Sequence, residues 1–388
     1  MFLYHQASKK ERGTTTRGLV NLGRTCYMNS TLQCLAHTHL LSDHFTTRTY
    51  YEGGLKSNSG TSDIAEAFST VLKDMWERSD DGLESLPTAV NVDTFKRVIE
   101  AHDSRYKGCH DQDSQEFQLY LIDALNDATN RNRTNEKVQL APRVEKRRGE
   151  SDKEASNRAL VQSKQISDSY VNELFMGQLR NNLNCKECGH VSTAFEASNT
   201  LSVPIRFEEG KKQATSGDSE KTLFACIEEY CKREELGADW ECPMCKKKVG
   251  AWKQLQLYRP PRVLLVHLKR FEDPTRKIDD KVDFPLNGLD LSDLMTSDGV
   301  QHWDEGEEPV YDCYAVSNHY GQLGRGHYTA FTKDFDQDVW NCYDDTAVKR
   351  NIDERSVVSN AAYHIFYKRR DVEWSSERSE VSLSESSL

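Results

Sequence analysis

The stretch GLVNLGRTCYMNSTLQCLAH, residues 18–37, decides how this sequence is interpreted. It combines two glycines, an asparagine between them, a cysteine, and a following run of helical character. A loop is therefore predicted to give way to a helix close to Cys26. Most cysteines are small buried residues, and Cys26 is open to that interpretation. A thiol at a helix N-terminus is also placed where the helix dipole favours the thiolate, the form that acts as a nucleophile.

Composition indicates a globular protein of the cell interior. The 388 residues are 37% hydrophobic and 29% charged, and no apolar run approaches the roughly 18 residues of a membrane span. The N-terminus lacks the apolar core of a secretory signal, and an odd count of eleven cysteines suits reduced thiols, so we expect a cytoplasmic or nuclear protein. A net charge of −11 argues against general nucleic-acid binding and suits a partner with basic features.

The hydrophobic pattern predicts an α+β fold. Residues 18–130 show mostly helical spacing of apolar side chains, whereas beyond Leu174 β-branched and aromatic segments alternate with glycine and proline. Residues 1–17 are polar and are expected to be flexible, and 371–388, rich in serine and glutamate, are expected to be a disordered tail. The polar segment 131–168 is compatible with either a solvated helix or a mobile insertion.

Two C-x-x-C pairs predict a structural zinc site. Cys185 and Cys188 form the first pair, and Cys242 and Cys245 form the second, about fifty residues further on. Each pair presents two thiolates to one ion, and two pairs complete a tetrahedral site. Four thiolate ligands leave no position for water, so this zinc is expected to hold the fold and to take no part in chemistry. The segment between the pairs must then form strands of its own.

A second constellation lies near the C-terminus, in the glycine-rich loop and strand GQLGRGHYTAF, the turn DFDQD and the strand VWNCYDD. A hairpin centred near residues 335 and 336 would place His327 almost opposite Asp344. A carboxylate at that position would hold the imidazole in one tautomer and stabilise its charged form. A lone histidine beside a strand is usually structural, but paired in this way the two side chains would form the base and orienting acid of a nucleophilic triad.

Cys26 then has candidate partners. The chain order Cys, His, Asp with the thiol at a helix start is the papain-like arrangement. Attack on an amide carbonyl needs hydrogen-bond donors for the developing oxyanion. The Cys26 backbone N–H is one candidate donor, and the Asn21 side chain, in the same loop, is another. The alternative for Asn21 is an ordinary loop or capping residue.

Five motifs in this order resemble those of the ubiquitin-specific proteases, a large class of cysteine deubiquitinases. They are the cysteine box GLVNLGRTCYMNSTLQCL, the acidic–glutamine motif DQDSQEF, the paired C-x-x-C elements, the strand LLVHLKRF, and the histidine box GHYTAF…WNCYDD. The resemblance covers residues 18 to 370. It implies a papain-like fold shaped as a right hand, with a helical thumb at about 18–130, zinc-bearing fingers at about 178–257 and a β-rich palm.

The resemblance also implies roles for individual residues. Cys26 resembles the nucleophile, His327 the general base and acid, Asp344 the orienting acid and Asn21 the oxyanion residue. Asp345 is the second candidate for the orienting acid, because two carboxylates stand side by side. Ubiquitin is then the expected partner, with its body on the fingers and its tail in a channel that leads to the cysteine.

Three further residues are assigned by resemblance to the tail channel. Asp113 and Glu116 match acidic positions that pair with arginines of the ubiquitin tail, and Tyr328 matches the aromatic residue that packs on the two terminal glycines. Read without the resemblance, the acids are favourable residues at a helix N-terminus. The chain departs from the family at Arg24, where many members have asparagine, and this puts access to the cleft in question.

The expected enzyme is a monomer similar to the compact members of the family, acting on ubiquitin and ubiquitinated proteins, with zinc as its cofactor. Two alternatives stay open. One is a scaffold that binds ubiquitin without cleaving it, which the complete triad argues against. The other is a protease for a different ubiquitin-like modifier, because related modifiers carry similar tails.

Overall fold

The computed structural model describes most of the chain, namely residues 16–51, 60–77, 88–132, 144–206, 221–273, 276–296, 299, 308–322, 324–334 and 337–372. The expected flexible segment at 1–17 lies outside these residues except for Thr16 and Arg17. The Thr16 hydroxyl donates to Gln33 Oε1 at 2.7 Å, so the ordered fold includes that residue. The expected disordered tail at 371–388 lies outside the described residues from 373 onward.

Eight α-helices lie in the described residues, most of them in the N-terminal half as predicted. They are α1 (Cys26–Ala36), α2 (His39–Thr46), α3 (Ser62–Trp76), α4 (Asp93–His102), α5 (Ser114–Thr129), α6 (Asp152–Ile166), α7 (Tyr170–Phe175) and α8 (Leu223–Tyr230). The apolar stripe of α3, which includes Ile64, Phe68 and Leu72, is fully buried. That stripe therefore forms core, as its spacing predicts.

Seventeen strands occupy mainly the C-terminal half of the described residues. They are β1 (Gly18–Leu19), β2 (Ala89–Val90), β3 (Val144–Glu145), β4 (Gly177–Cys185), β5 (Val191–Ser198), β6 (Leu201–Pro204), β7 (Glu234–Glu241), β8 (Lys248–Arg259), β9 (Val263–Lys269), β10 (Phe271–Asp273), β11 (Arg276–Lys277), β12 (Leu289–Asp290), β13 (Val310–Gln322), β14 (Arg325–Asp334), β15 (Val339–Asp344), β16 (Ala347–Ile352) and β17 (Ala362–Arg369). Helices followed by sheets confirm the predicted α+β class.

The larger sheet is the platform on which α1 lies. Its strand order is β16-β15-β14-β13-β17-β9-β6, with β12 paired to β13, and only the β6–β9 pairing on this sheet is parallel. Because side chains alternate along a strand, β9 serves two cores. Leu265 packs in the cluster that contains α1, whereas Leu264 and Val266 pack in the cluster that contains α8.

Helix α1 is buried along its entire length, from Cys26 to Ala36. A helix buried around its whole circumference is enclosed by other elements. Here α1 packs against α5 on one side and against β14 and β13 on the other. The position of the first residue of α1 is therefore fixed by packing and does not depend on the loop alone.

The smaller sheet contains the two C-x-x-C pairs. Its strand order is β3-β5-β4-β8-β7, and every pairing is antiparallel. The Cys185 N–H donates to the His190 carbonyl at 2.9 Å, and the Cys242 N–H donates to the Lys247 carbonyl at 3.0 Å, so the two knuckles close in the same way. Between the knuckles the chain forms strands, as the spacing of the cysteines predicts.

The polar segment that the sequence left open is a helix in its second half. Residues 133–143 lie outside the described part of the chain, and α6 follows. The Ser151 hydroxyl accepts from the Glu154 N–H at 3.2 Å while the Glu154 carboxylate accepts from the Ser151 N–H at 2.8 Å. This reciprocal capping box starts the helix. None of the described helices combines the length and the apolar character needed to cross a membrane.

The predicted register of the hairpin is wrong by two residues. The observed ladder pairs Ala330 with Tyr343, so each residue of β15 lies opposite a residue of β14 two positions later than expected. Continuing this register places Asp344 opposite Thr329 rather than close to opposite His327. The two predicted partners are nevertheless diagonal neighbours on one face, because side chains two residues apart on a strand point the same way.

Candidate active site

Cys26 is the first residue of α1, as the sequence predicts, and its side chain is 5% exposed. The preceding loop is held by short hydrogen bonds. The Leu22 N–H donates to Thr25 Oγ1 at 2.9 Å, and the Gly23 N–H donates to Asn21 Oδ1 at 2.9 Å. The turn therefore reaches the helix with the thiol at the end that carries partial positive charge.

His327 and Asp344 form a close pair despite the shifted register. The His327 Nε2 lies 2.6 Å from Asp344 Oδ1, which leaves Nδ1 as the ring nitrogen for another partner. A hydrogen bond with Cys26 is the main cause that raises the pKa of His327 to about 9; partial burial opposes the rise, and Asp344 adds to it. The imidazole therefore holds its proton at neutral pH beside the cysteine.

Asp345 also lies near His327, with a carboxylate oxygen within 4.8 Å of a ring nitrogen, but the hydrogen bonds of its carboxylate go to other partners. One of its carboxylate oxygens accepts from Asn21 Nδ2 at 2.8 Å, and the other accepts from Asn29 Nδ2 at 2.7 Å. Its backbone carbonyl accepts from the Leu19 N–H at 2.8 Å. Asp345 thus ties the loop before Cys26 to the first turn of α1. Asn21 also accepts from the Gly23 and Thr25 N–H groups, so both ends of its amide are engaged.

Asp113 caps helix α5 and is fixed from two sides. Its Oδ1 accepts from the Gln115 N–H at 2.6 Å, and its Oδ2 accepts from the Tyr363 hydroxyl at 2.7 Å. Glu116 is freer, because its side chain is 59% exposed and its contact with Arg105 is long, at 4.0 Å. The predicted pair of acids therefore consists of one rigid and one mobile carboxylate.

Tyr328 is buried beside the predicted histidine, and its ring meets His319 edge-on with the centroids 4.7 Å apart. Burial raises the pKa of Tyr328 well above its ordinary value, so the phenol stays neutral. A cavity of about 220 Å³ is lined by Tyr328, Cys26, Asp113 and Glu116 among others. The structure thus brings the predicted nucleophile and all three predicted tail-binding residues around one space.

The four predicted metal ligands also come together. Cys185 Sγ lies 4.0 Å from Cys245 Sγ, Cys188 Sγ lies 3.7 Å from Cys242 Sγ, and all four sulfurs lie within 4.8 Å of one another. A tetrahedral site with metal–sulfur bonds of about 2.3 Å requires sulfurs about 3.8 Å apart. The donor set and its spacing therefore fit one metal ion.

Sequence reasoning missed several contacts at this site. Asn29 was not singled out, although a buried asparagine in an apolar helix is a signal that it has a polar partner. Tyr363 could not have been linked to Asp113, because 250 residues separate them. The same holds for Arg24, whose Nη1 lies 2.8 Å from Asp111 Oδ2.

Comparison with known sequences extends these observations. The sequence pattern of a family described as ubiquitin carboxyl-terminal hydrolase matches residues 17–367. The chain is 32% identical over 366 residues to ubiquitin carboxyl-terminal hydrolase 2 of Rattus norvegicus, covering 93% of this chain and 55% of the relative. It is 33% identical over 367 residues to ubiquitin carboxyl-terminal hydrolase 21 of Homo sapiens, covering 90% of this chain and 61% of the relative. The chain thus spans little more than half the length of these relatives.

Solved structures share the fold. The SAGA Ubp8/Sgf11/Sus1/Sgf73 DUB module bound to ubiquitin aldehyde matches with a TM-score of 0.67 and 22% identity, over 95% of this chain and 72% of that chain. A second structure of the SAGA Ubp8/Sgf11/Sus1/Sgf73 DUB module matches with a TM-score of 0.64, at 22% identity, over 94% of this chain and 70% of that chain. At this level of identity the likeness shows a common fold, which confirms the expected architecture.

Proposed function

The chain belongs to the ubiquitin carboxyl-terminal hydrolase family, and from this premise we propose that it is a cysteine deubiquitinase. It hydrolyses the isopeptide or peptide bond after the C-terminal glycine of ubiquitin. One arrangement carries the proposal: His327 lies 2.6 Å from Asp344, and interaction with Cys26 is the main cause that raises the pKa of the imidazole to about 9. A charged imidazole beside a thiol at a helix start is the nucleophile-and-base pair of a thiol hydrolase.

The reaction has two steps. The Cys26 thiolate attacks the carbonyl carbon of the terminal glycine, and the tetrahedral intermediate collapses to a thioester as His327 protonates the departing amine. Neutral His327 then takes a proton from water, and the resulting hydroxide attacks the thioester and releases the ubiquitin carboxylate and the thiol. Asp344 keeps the ring oriented, since its carboxylate accepts from Nε2–H.

We assign the oxyanion donors to the Cys26 backbone N–H and the Asn21 amide. The hydrogen bonds of Asn21 to Asp345 and to the loop N–H groups support this role, because they hold the amide without rearrangement during the reaction. A fixed donor stabilises developing charge better than one that must reorient. Asp345 is then a positioning residue for the donor.

We place the ubiquitin tail in the cavity beside Cys26. Asp113 and Glu116 on its wall are available to arginines of the tail, and Tyr328 packs against the two glycines. Rigid Asp113 supports this assignment, because a carboxylate held by Tyr363 loses little freedom when it binds a cation. The four cysteines at 185, 188, 242 and 245 hold one zinc ion, which supplies structure to the smaller sheet and no chemistry.

We further propose that the protein acts as a monomer in the cytoplasm or nucleus, on ubiquitinated proteins. None of its eleven cysteines forms a disulfide bond, which suits a reducing compartment.

The test is release of a fluorophore from the C-terminus of ubiquitin by the wild type and by Cys26→Ala. We expect turnover that is lost in the variant, while the variant still binds ubiquitin in calorimetry. If the wild-type protein binds ubiquitin but releases no fluorophore, the protein is a ubiquitin-binding scaffold. A protein that neither cleaves nor binds ubiquitin would point to another modifier, and the same assay with that modifier's tail would follow.

A further inference from the structure

An ion pair lies on the wall of the cavity that leads to Cys26. Arg24 Nη1 is 2.8 Å from Asp111 Oδ2, and both residues line that cavity together with the thiol. Arg24 belongs to the loop before α1 and Asp111 to the loop before α5, so the pair joins the two segments that flank the cavity. Arg24 is also the position at which the sequence departs from the family it resembles.

The two halves of the pair differ in mobility. The Arg24 side chain is 60% exposed, whereas the Asp111 side chain is 19% exposed. The carboxylate is thus the fixed half and the guanidinium the half that can leave.

The other two carboxylates of the cavity are engaged differently. Asp113 is held by the Tyr363 hydroxyl and by the backbone of α5, and neither partner is a cation. The Glu116 carboxylate lies 4.0 Å from Arg105 Nη1, which is too far for a hydrogen bond. Among the three acids that line this cavity, Asp111 is the one in direct contact with a guanidinium of the chain itself.

We propose that Arg24 competes with an arginine of the substrate tail for Asp111, so that the free enzyme is self-inhibited at this position. This inference rests on the proposed function. When a substrate guanidinium reaches Asp111, Arg24 swings into solvent, and one charge-assisted hydrogen bond replaces another of the same kind. The exchange costs only the exposed ion pair, and it lowers affinity for the tail without altering the groups that carry out the reaction.

The expected effect is modest and measurable. An exposed ion pair contributes little, so its removal is expected to lower KM by about two- to fivefold. Arg24→Gln is the informative variant, because glutamine keeps a long, straight side chain on the same backbone and removes only the charge. Arg97→Gln is the matched control: Arg97 forms an exposed 2.8 Å pair with Asp93 on α4, and neither residue lines the cavity.

The experiment measures kcat and KM for ubiquitin carrying a C-terminal fluorophore, at fixed ionic strength. Arg24→Gln is expected to lower KM with kcat unchanged, and Arg97→Gln to change neither. Asp111→Asn is expected to raise KM. In the double variant, Arg24→Gln is expected to cause no further change in KM. With ubiquitin whose tail arginines are replaced by leucine, the gain from Arg24→Gln is expected to disappear.

Three results would overturn the inference. A fall in kcat at constant KM in Arg24→Gln would mean that the pair orders the loop before Cys26. Equal effects of Arg24→Gln and Arg97→Gln would mean a general charge effect. A gain that persists with the leucine tail would exclude competition with its arginines. An inactive wild-type enzyme would instead refute the proposed function, and the inference with it.

Discussion

Replacing Asp344 separates its two contributions to His327, orientation and charge. In Asp344→Asn the amide oxygen still accepts from Nε2–H, so the ring keeps its orientation, whereas Asp344→Ala removes the acceptor. We therefore expect Asp344→Asn to keep kcat/KM within about tenfold of the wild type at pH 7. Asp344→Ala is expected to lower kcat/KM by about a hundredfold, because a ring that is not held in place is a poorer general acid and base.

The charge contribution shifts the pH dependence. Two unit charges about 4 Å apart attract by about 1 kcal/mol in water and about 4 kcal/mol at an effective dielectric constant of 20. The side chains of His327 and Asp344 are 41% and 53% exposed, so the lower value applies. Since 1.4 kcal/mol corresponds to about one pKa unit, Asp344→Asn is expected to lower the pKa of His327 by somewhat less than one unit.

The sign of the shift follows from the proton that His327 must donate. The wild-type imidazolium loses its proton as the pH rises through about 9, and with it the ability to protonate the leaving amine. In Asp344→Asn that loss comes earlier, so the alkaline limb of kcat/KM moves to lower pH. The assay is a pH series on an isopeptide-linked ubiquitin substrate. An unmoved alkaline limb, or Asp344→Asn as inactive as Asp344→Ala, would refute the reasoning.

Three further predictions concern parts of the structure around the site. Asp345→Ala removes the acceptor that holds the Asn21 amide, and we expect kcat to fall by about a hundredfold or more with little change in KM; a loss confined to KM would contradict this. Gly18→Ala places a Cβ 2.5 Å from the Thr346 carbonyl oxygen, and we expect the variant to lose about 1–3 kcal/mol of stability in urea unfolding. An unchanged urea midpoint would mean that the backbone at Thr346 moves away without cost. Cys185→Ser is expected to lower zinc content from one ion per chain and to weaken ubiquitin binding more than the turnover of bound substrate; a folded, active wild type without zinc would rule the site out.

Sequence and structure agree wherever the signal is local. A loop rich in glycine before an apolar run predicts a helix start, and α1 begins at Cys26. Paired C-x-x-C spacing predicts that four thiols meet, and they do. The predicted hairpin register differs from the observed one by two residues, because the residue spacing alone does not fix which residues of the two strands pair. The pairing of His327 with Asp344 survived this error, since both strands alternate with a period of two.

Contacts between segments that are distant along the chain cannot be predicted from this sequence alone. Asp345 was considered as a partner for the histidine, but it binds Asn21 and Asn29, and the choice between adjacent carboxylates depends on a backbone twist at φ +49°. Asp345 follows the last residue of β15, so the alternation of side chains along that strand does not predict which way Asp345 faces.

The sequence by itself determined the α+β class, the elements that carry each chemical group, and the residue types needed for thiol chemistry and for a metal site, because periodicity and motif spacing are local properties. Only the tertiary structure decided which carboxylate contacts the His327 ring, which accepts from the Asn21 amide, and which pairs with Arg24. Those choices depend on ångström distances between segments separated by up to 324 residues, and such distances are set by packing of the whole core.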